Sequence, residues 1–460
     1  MANGSIELDL NLATKDGIGE GGLSREDFTA LAPRVKAIHE DLQAKRKSGT
    51  LRFFDLPGDR EAADAAKRMA EELRREFDDL LVLGIGGSSL GAKALYTALC
   101  HPLNNLLPKE KRKGMRLFFP DNADPSTFSG LLDVLDLDRT AIAAITKSGG
   151  TAETWSQMLV LREKWKSRGG EKAMGRHVVG VTDPSSGTLR KISEQSGWRT
   201  LPVPPAVGGR FSVLTAVGLL PAAAAGMDVD GLLAGAAEMV KRCETDDVLK
   251  NPAYALATAL YLMDTKRGRR IHVFMPYADA LRETSDWFVQ LWAESLGKNP
   301  NVGPTPIRAV GATDQHSLVQ LLMEGPDDKC TVFARVDKPS RDLSLPPGWE
   351  EMGDVKYLGG HRMGELLNVE HHATAAALAG QGRPSMTLRI SELNAHTVGQ
   401  LLMLWEIATA YAGPLYGVNP FDQPGVEAGK RFIGGLLGRA GYEKYREELE
   451  QRPPKREWVL

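Results

Sequence analysis

The sequence predicts an α/β protein of two lobes, each built on a parallel sheet covered by helices on both faces. Three observations carry this. Strand-length apolar runs (Asp79–Ile85, Met115–Phe119, Ala141–Thr146, His177–Thr182) alternate with helix-length stretches, the pattern of parallel strands joined by helical crossovers. The rhythm pauses at a Pro/Gly-rich stretch, Leu201–Gly209, and resumes at Arg270–Pro276. The chain has 460 residues, more than one ordinary core requires.

The elements follow in order. Residues 24–47 read as a helix opened by Ser24, with Asp27 three positions on completing a capping-box variant. Arg60–Phe77, rich in Ala, Glu and Arg, is a second helix. The strand Asp79–Ile85 runs into glycines and then a helix from about Ser89 to Cys100, and Met115–Phe119 ends in the turn cluster PDNADP. Ala141–Thr146 leads through a turn to the helix Thr151–Trp165, and His177–Thr182 stops at Asp183–Pro184. Leu201–Gly209 is read as an extended connector and Phe211–Gly226 as an apolar helical segment. The second lobe holds the strand Arg270–Pro276, the helix Ala278–Gly297, the strands Thr331–Val336 and Met386–Ile390, and the core helix Thr397–Tyr411. The boundaries expected from this are a helical segment 1–50, a first domain 51–215, a second domain 216–435 and a tail 436–460.

Composition narrows the function. Hydrophobic residues make up 42% and charged residues 25% of the chain, values typical of a soluble globular protein. The formal charge of −2 gives no reason to expect nucleic acid or an anionic membrane as partner, either of which would favour a basic face. Cys100, Cys243 and Cys330 are isolated, so neither a disulfide framework nor a paired-cysteine metal site is expected. The start MANGSIELDLNLATKDG lacks a signal pattern, and the longest apolar stretch, Ala216–Met227, contains Pro221 and is too short to span a bilayer. A cytoplasmic protein is expected.

The most telling segment is AIAAITKSGGTAET, Ala141–Thr154. A strand stops at a hydroxyl, a lysine and two glycines, and a helix starts at once. Backbone N–H groups and the positive end of the helix dipole favour an anion there, and Thr146, Ser148 and Thr151 add donors without fixed charge. The cradle suits a sugar phosphate. A second glycine-rich turn, LGIGGSSLG at Leu83–Gly91, fails as a dinucleotide fingerprint, because the sixth place counted from Gly84 is Ser89. It fails as an ATP-type phosphate loop for want of Gly-Lys-Ser/Thr. Two polar turns in one sheet point to a polyol site at the strand carboxyl ends, with Gly87 and Ser88 as sugar contacts.

Other residues stand out singly. In DWFVQLWAESLGK, Asp286–Lys298, the residues Trp287, Leu291 and Leu296 are expected to face the core, while Gln290 and Glu294, four apart, share a face. A solvated helix face is the plain alternative. Flanking tryptophans instead make Glu294 a candidate general base, since desolvation strengthens a carboxylate as a base. Arg210 lies between a glycine pair and an apolar helix, a position that calls for a functional or paired buried cation. His316 precedes an apolar helix; Lys430 closes NPFDQPGVEAGK, whose prolines stiffen the segment holding Gln423. His371 and His372 cannot share a helix face, and no metal-ligand spacing occurs; no metal is expected.

Together these segments resemble the phosphoglucose isomerase family. The match runs in order from about residue 80 to 435 through GIGGSSLG, TKSGGTAET, GGRFS, the ESLGK helix, GATDQHSLVQLLMEG and NPFDQPGVEAGK, and the length is similar to the shorter bacterial-type members. The resemblance implies two sugar-isomerase (SIS-type) αβα sandwich domains with extra N-terminal helices, a C-terminal helical tail, and usually a homodimer. It implies that Glu294 moves a proton between C1 and C2, that His316 and Lys430 assist ring opening, and that Arg210 stabilises an enediolate. It also implies that His316 reaches the neighbouring subunit's site, with Glu153 supporting the histidine. Thr146, Lys147, Ser148 and Thr151 match the phosphate loop; Gly87, Ser88, Gln290 and Gln423 match other substrate contacts. Gly149–Gly150 departs from the bulkier or hydroxylated residues of many members, which bears on the loop's stiffness.

The implied activity is aldose–ketose isomerisation of glucose 6-phosphate and fructose 6-phosphate, without metal or cofactor. Two alternatives stay open. An isomerase that also accepts mannose 6-phosphate shares the fold and chemistry, although minimal relatives of that kind are much shorter. A non-catalytic sugar-phosphate regulator usually carries a basic helix-turn-helix, which this chain lacks, and need not keep Glu294.

Overall fold

The computed structural model describes residues 4–451 and 456–459. Its strands in chain order are β1 (Ile6–Asp9), β2 (Asp79–Leu83), β3 (Arg116–Phe118), β4 (Thr140–Ile145), β5 (Val178–Thr182), β6 (Arg199–Pro202), β7 (Ile271–Tyr277), β8 (Thr305–Arg308), β9 (Lys329–Lys338) and β10 (Ser385–Glu392). They form two five-stranded sheets of order β3-β2-β4-β5-β6 and β1-β10-β9-β7-β8. All pairings are parallel except that of β1 with β10. The central strands β2, β4 and β5 are buried at every residue, as parallel strands covered on both faces must be.

The expected α/β architecture is present, with differences that have physical reasons. Residues 24–47 form two helices, Arg25–Thr29 and Ala32–Lys47. The first has the expected capping box: the Ser24 hydroxyl accepts from the Asp27 N–H at 3.3 Å, and the Asp27 carboxylate accepts from the Ser24 N–H at 2.9 Å. Pro33 then sits in the first turn of a new helix, because it has no N–H to continue the old one. The stretch Leu201–Gly209 is only partly a connector: its start completes β6 along β5. The helix Ala216–Ala224 is buried at every residue. It lies on the first sheet, where the Met115 N–H donates to the Ala224 carbonyl at 2.9 Å.

One large core joins the helices between the sheets. The helix Ala395–Tyr416 runs through it, buried at all but two of its residues, Pro414 and Tyr416. Smaller clusters pack the outer faces of the two sheets. No helix among the described residues is long and apolar enough to cross a membrane.

Candidate active site

The strand order of the first sheet places the site. From β2 the chain moves to β3 on one side and then returns to add β4 on the other, so the loops leaving β2 and β4 part company at their carboxyl ends. Such a switch point is where open α/β sheets hold ligands. The two polar turns singled out from the sequence are those two loops.

The loop after β2 lies flat against its neighbours because it lacks side chains. Gly86 has φ +56°, and a Cβ there would fall 2.9 Å from Gln290 Nε2. A Cβ on Gly87 would fall 2.3 Å from the Gly209 carbonyl carbon and 2.8 Å from the Arg210 nitrogen. Only glycine permits that approach. It brings Gly87 and Ser88 beside Arg210 and the helix Arg282–Leu296.

That helix presents the carboxylate. Trp287, Trp292, Leu291 and Leu296 are buried, and Gln290 and Glu294 emerge on the opposite face, with Gln290 Nε2 donating to Glu294 Oε2 at 3.1 Å. Gln290 Oε1 is buried and has no partner among the described residues. Arg210, 3% exposed, stands 3.6 Å from Glu294 Oε1. Its Nε donates to Ser295 Oγ at 2.6 Å, NH1 to Gln423 Oε1 at 3.0 Å, and NH2 to the carbonyls of Pro420 and Asp422. Burial pulls its guanidinium below the ordinary value, while the charges of Glu294 and Asp422 pull it back up.

The loop after β4 is a hydroxyl cluster. Thr146 Oγ1 lies 2.7 Å from Thr151 Oγ1 and 3.5 Å from Ser148 Oγ, at the start of the helix Ala152–Trp165. Trp155 Nε1 donates to the Gly149 carbonyl at 2.7 Å. Lys147 turns away from the hydroxyls: its ammonium donates to the carbonyls of Pro205 and Val207 at 2.6 and 2.7 Å, and burial lowers its pKa. It therefore ties this loop to the segment that carries Arg210. A cavity of about 1040 Å³ opens beside the loop, with Ser148, Thr151, Glu153, Ile85 and Lys430 in its wall.

Glu294, Gln290, Arg210, Gln423 and Gly87 are thus brought together, while Ser148, Thr151, Glu153 and Lys430 share the wall of the cavity beside the β4 loop, which those five do not line. No hydrogen bond or ion pair joins Lys430 or His316 to Glu294. Lys430 donates to Glu427 one turn back at 2.8 Å. His316 is exposed at the start of the helix Gln315–Glu324.

Sequence reasoning missed the clamp around Asp422. Lys298, with its side chain only 10% exposed, holds the Asp422 carboxylate at 3.0 Å, and Asn419 donates to the same carboxylate at 2.8 Å. With Ser295 on Arg210, this fixes the Pro420–Gln423 turn. The partners lie 85 and 124 positions apart, beyond any local pattern; the one legible sign was the Pro-rich stiffness of NPFDQPGVEAGK.

Fold and cleft together define a doubly wound α/β protein that gathers polar loops, a carboxylate and a buried arginine at a sheet switch point. Residues 68–327 and 361–440 match the family model described as phosphoglucose isomerase. Among similar proteins are a glucose-6-phosphate isomerase of Rubrobacter xylanophilus, 48% identical over 92% of this chain and 96% of that one, and one of Carboxydothermus hydrogenoformans, 41% identical over 97% of each. A solved structure of a hypothetical protein from Thermus thermophilus is similar at TM-score 0.84 and 35% identity, covering 95% of this chain and all of that one. That of a glucose-6-phosphate isomerase from Chlamydia trachomatis is similar at 0.74 and 25%, covering 85% and 76%. The chain belongs to the phosphoglucose isomerase family.

Proposed function

We propose that this chain interconverts D-glucose 6-phosphate and D-fructose 6-phosphate through a cis-enediol(ate). The observation that carries the reading is the half-buried Glu294 carboxylate 3.6 Å from the buried Arg210 guanidinium. The hydrogen on the carbon beside a carbonyl is weakly acidic, so a base must stand within reach of it; Glu294 takes it from C2 and returns it to C1. Oxygen then gains negative charge, for which Arg210 supplies a fixed positive charge in a site of low dielectric. The names of the full-length relatives support the same substrates.

The phosphate does not react. Thr146, Ser148 and Thr151, together with backbone N–H groups at the helix start, hold it, and that remote binding orients C1 and C2. Lys147 acts through the position it gives the loop. Gln290, Gly87, Ser88 and Gln423 make the polyol contacts. Lys430 and His316 assist opening of the pyranose ring.

His316 is assigned to the neighbouring site of a homodimer, with Glu153 of that site supporting it. Its exposure supports this, as does the excursion between β9 and the helix Met363–Gly380, where Leu343, Trp349, Met352 and Tyr357 are 60–77% exposed; such apolar surface marks an interface. The cytoplasm is the compartment we assign.

The test is a coupled assay of fructose 6-phosphate conversion with and without chelator, and of mannose 6-phosphate in parallel. Chelator-insensitive turnover of the first alone is expected. Activity lost to chelator would overturn the metal-free mechanism, and turnover of mannose 6-phosphate would establish the dual enzyme.

A further inference from the structure

We propose that Tyr277 and Thr374 are positioning residues for His316, acting through the side-chain amide of Gln315. The inference rests on the role given to His316 above and concerns groups to which that role assigns nothing.

Gln315 and His316 open the helix Gln315–Glu324. Two hydroxyls from other elements converge on one atom of Gln315. The phenol of Tyr277, the last residue of β7, donates to Gln315 Oε1 at 2.6 Å, and the hydroxyl of Thr374, on the helix Met363–Gly380, donates to the same oxygen at 3.1 Å. Tyr277 is 1% and Thr374 8% exposed. Rings fix the phenol in turn, His371 edge-on at 5.2 Å and Phe333 at 5.8 Å. A Cβ on Gly311 would fall 2.5 Å from the Tyr277 ring, so the turn leading to His316 lies directly on that ring. Asp314 closes the turn from within: its carboxylate accepts from the Val310 N–H and the Ser317 hydroxyl, each at 2.7 Å.

The residue presented by this framework is not used by its own chain. The His316 ring is exposed and makes no hydrogen bond, ion pair or ring contact with any described residue. A freely rotating surface imidazole needs no such support. Holding a reacting group to within a fraction of an ångström does. Burial pushes the Tyr277 phenol up to about 12, so it stays a donor through the neutral range.

The experiment uses dimers assembled from two differently tagged chains. In homodimers, Tyr277→Phe and Thr374→Val are each expected to lower kcat about tenfold with KM little changed and with the wild-type unfolding temperature nearly retained. In mixed dimers with one Glu294→Gln chain, a single competent site survives, on the chain that keeps Glu294, and it takes His316 from the Glu294→Gln chain. Adding Tyr277→Phe to the Glu294→Gln chain is expected to slow that site; adding it to the other chain is expected to leave it unchanged. A Glu294→Gln and His316→Ala pairing, which carries no change at Tyr277, reports separately on sharing and is expected to regain activity. A reversed pattern with that control active overturns the positioning role, as do homodimers at wild-type kcat. A reversed pattern with the control silent overturns the shared site instead.

Discussion

Arg210 and Glu294 stand 3.6 Å apart without closing into a hydrogen-bonded pair. Four of the five guanidinium N–H groups meet neutral acceptors, Ser295, Gln423 and two backbone carbonyls, and NH1, the nitrogen nearest Glu294, keeps one. The fork is therefore held by dipoles while its charge is left for the cleft. Lysine keeps the charge but cannot meet four acceptors in one plane. Arg210→Lys is expected to lower kcat by about 10²-fold with a smaller effect on KM, as steady-state kinetics would show. Wild-type turnover in that variant would remove the geometric part of the argument.

Glu294→Gln keeps the shape of the side chain and an oxygen for Gln290 Nε2, but not the basicity. Turnover is expected to fall by about 10²–10⁴-fold, while calorimetric binding of a non-reacting sugar-phosphate analogue stays near wild type. Near-normal turnover would exclude Glu294 as the base.

The two adjacent glycines of the phosphate loop should respond differently. Gly149 has φ +74°, and a Cβ there would fall 2.5 Å from the Thr188 nitrogen. Gly150 has no neighbour within 4 Å of its Cβ position. Gly149→Ala is expected to destabilise the protein by more than about 1–2 kcal/mol and to weaken phosphate binding. Gly150→Ala is expected to stay within about 0.5 kcal/mol of wild type. Equal melting temperatures for both variants would contradict this reading of the loop.

Glu406 sits within the helix Ala395–Tyr416 at 0% exposure, and neither carboxylate oxygen has a partner among the described residues. Burial alone raises its pKa well above the ordinary 4.5. The folded state thus binds a proton that the unfolded state releases above about 4.5, so this group's stabilising contribution is full below that pH and is lost as pH rises towards the folded value. The slope attributable to it is about −1.4 kcal/mol per pH unit at most. Glu406→Gln is expected to abolish it, read as the difference in denaturant unfolding between variant and wild type from pH 5 to 9. Parallel curves would show that Glu406 does not hold its proton.

The central strands were legible because parallel strands buried on both faces write continuous apolar runs. The strands that were not legible, β1, β6 and β8, all lie at sheet edges. β1 is four residues of alternating Ile, Glu, Leu and Asp, while β6 and β8 contain Pro202 and Pro306, tolerated there because an edge strand need not donate on its outer side. In the site, the Gln290–Glu294 pairing follows from helical spacing and was readable. The grip of Lys298 on Asp422 and of Tyr277 on Gln315 was not, because each is made by tertiary packing between elements that share no local pattern.

The pairing of β1 with β10 has a consequence for how the polypeptide is made. Ser5 and Ser391, which meet beside that pairing, are 386 positions apart. At roughly 5–20 residues per second on the ribosome, β1 waits on the order of a minute for β10, the strand it zips to. Throughout that interval it is an uncommitted ribbon, and its capture by β10 stitches residues made well apart in time into one sheet.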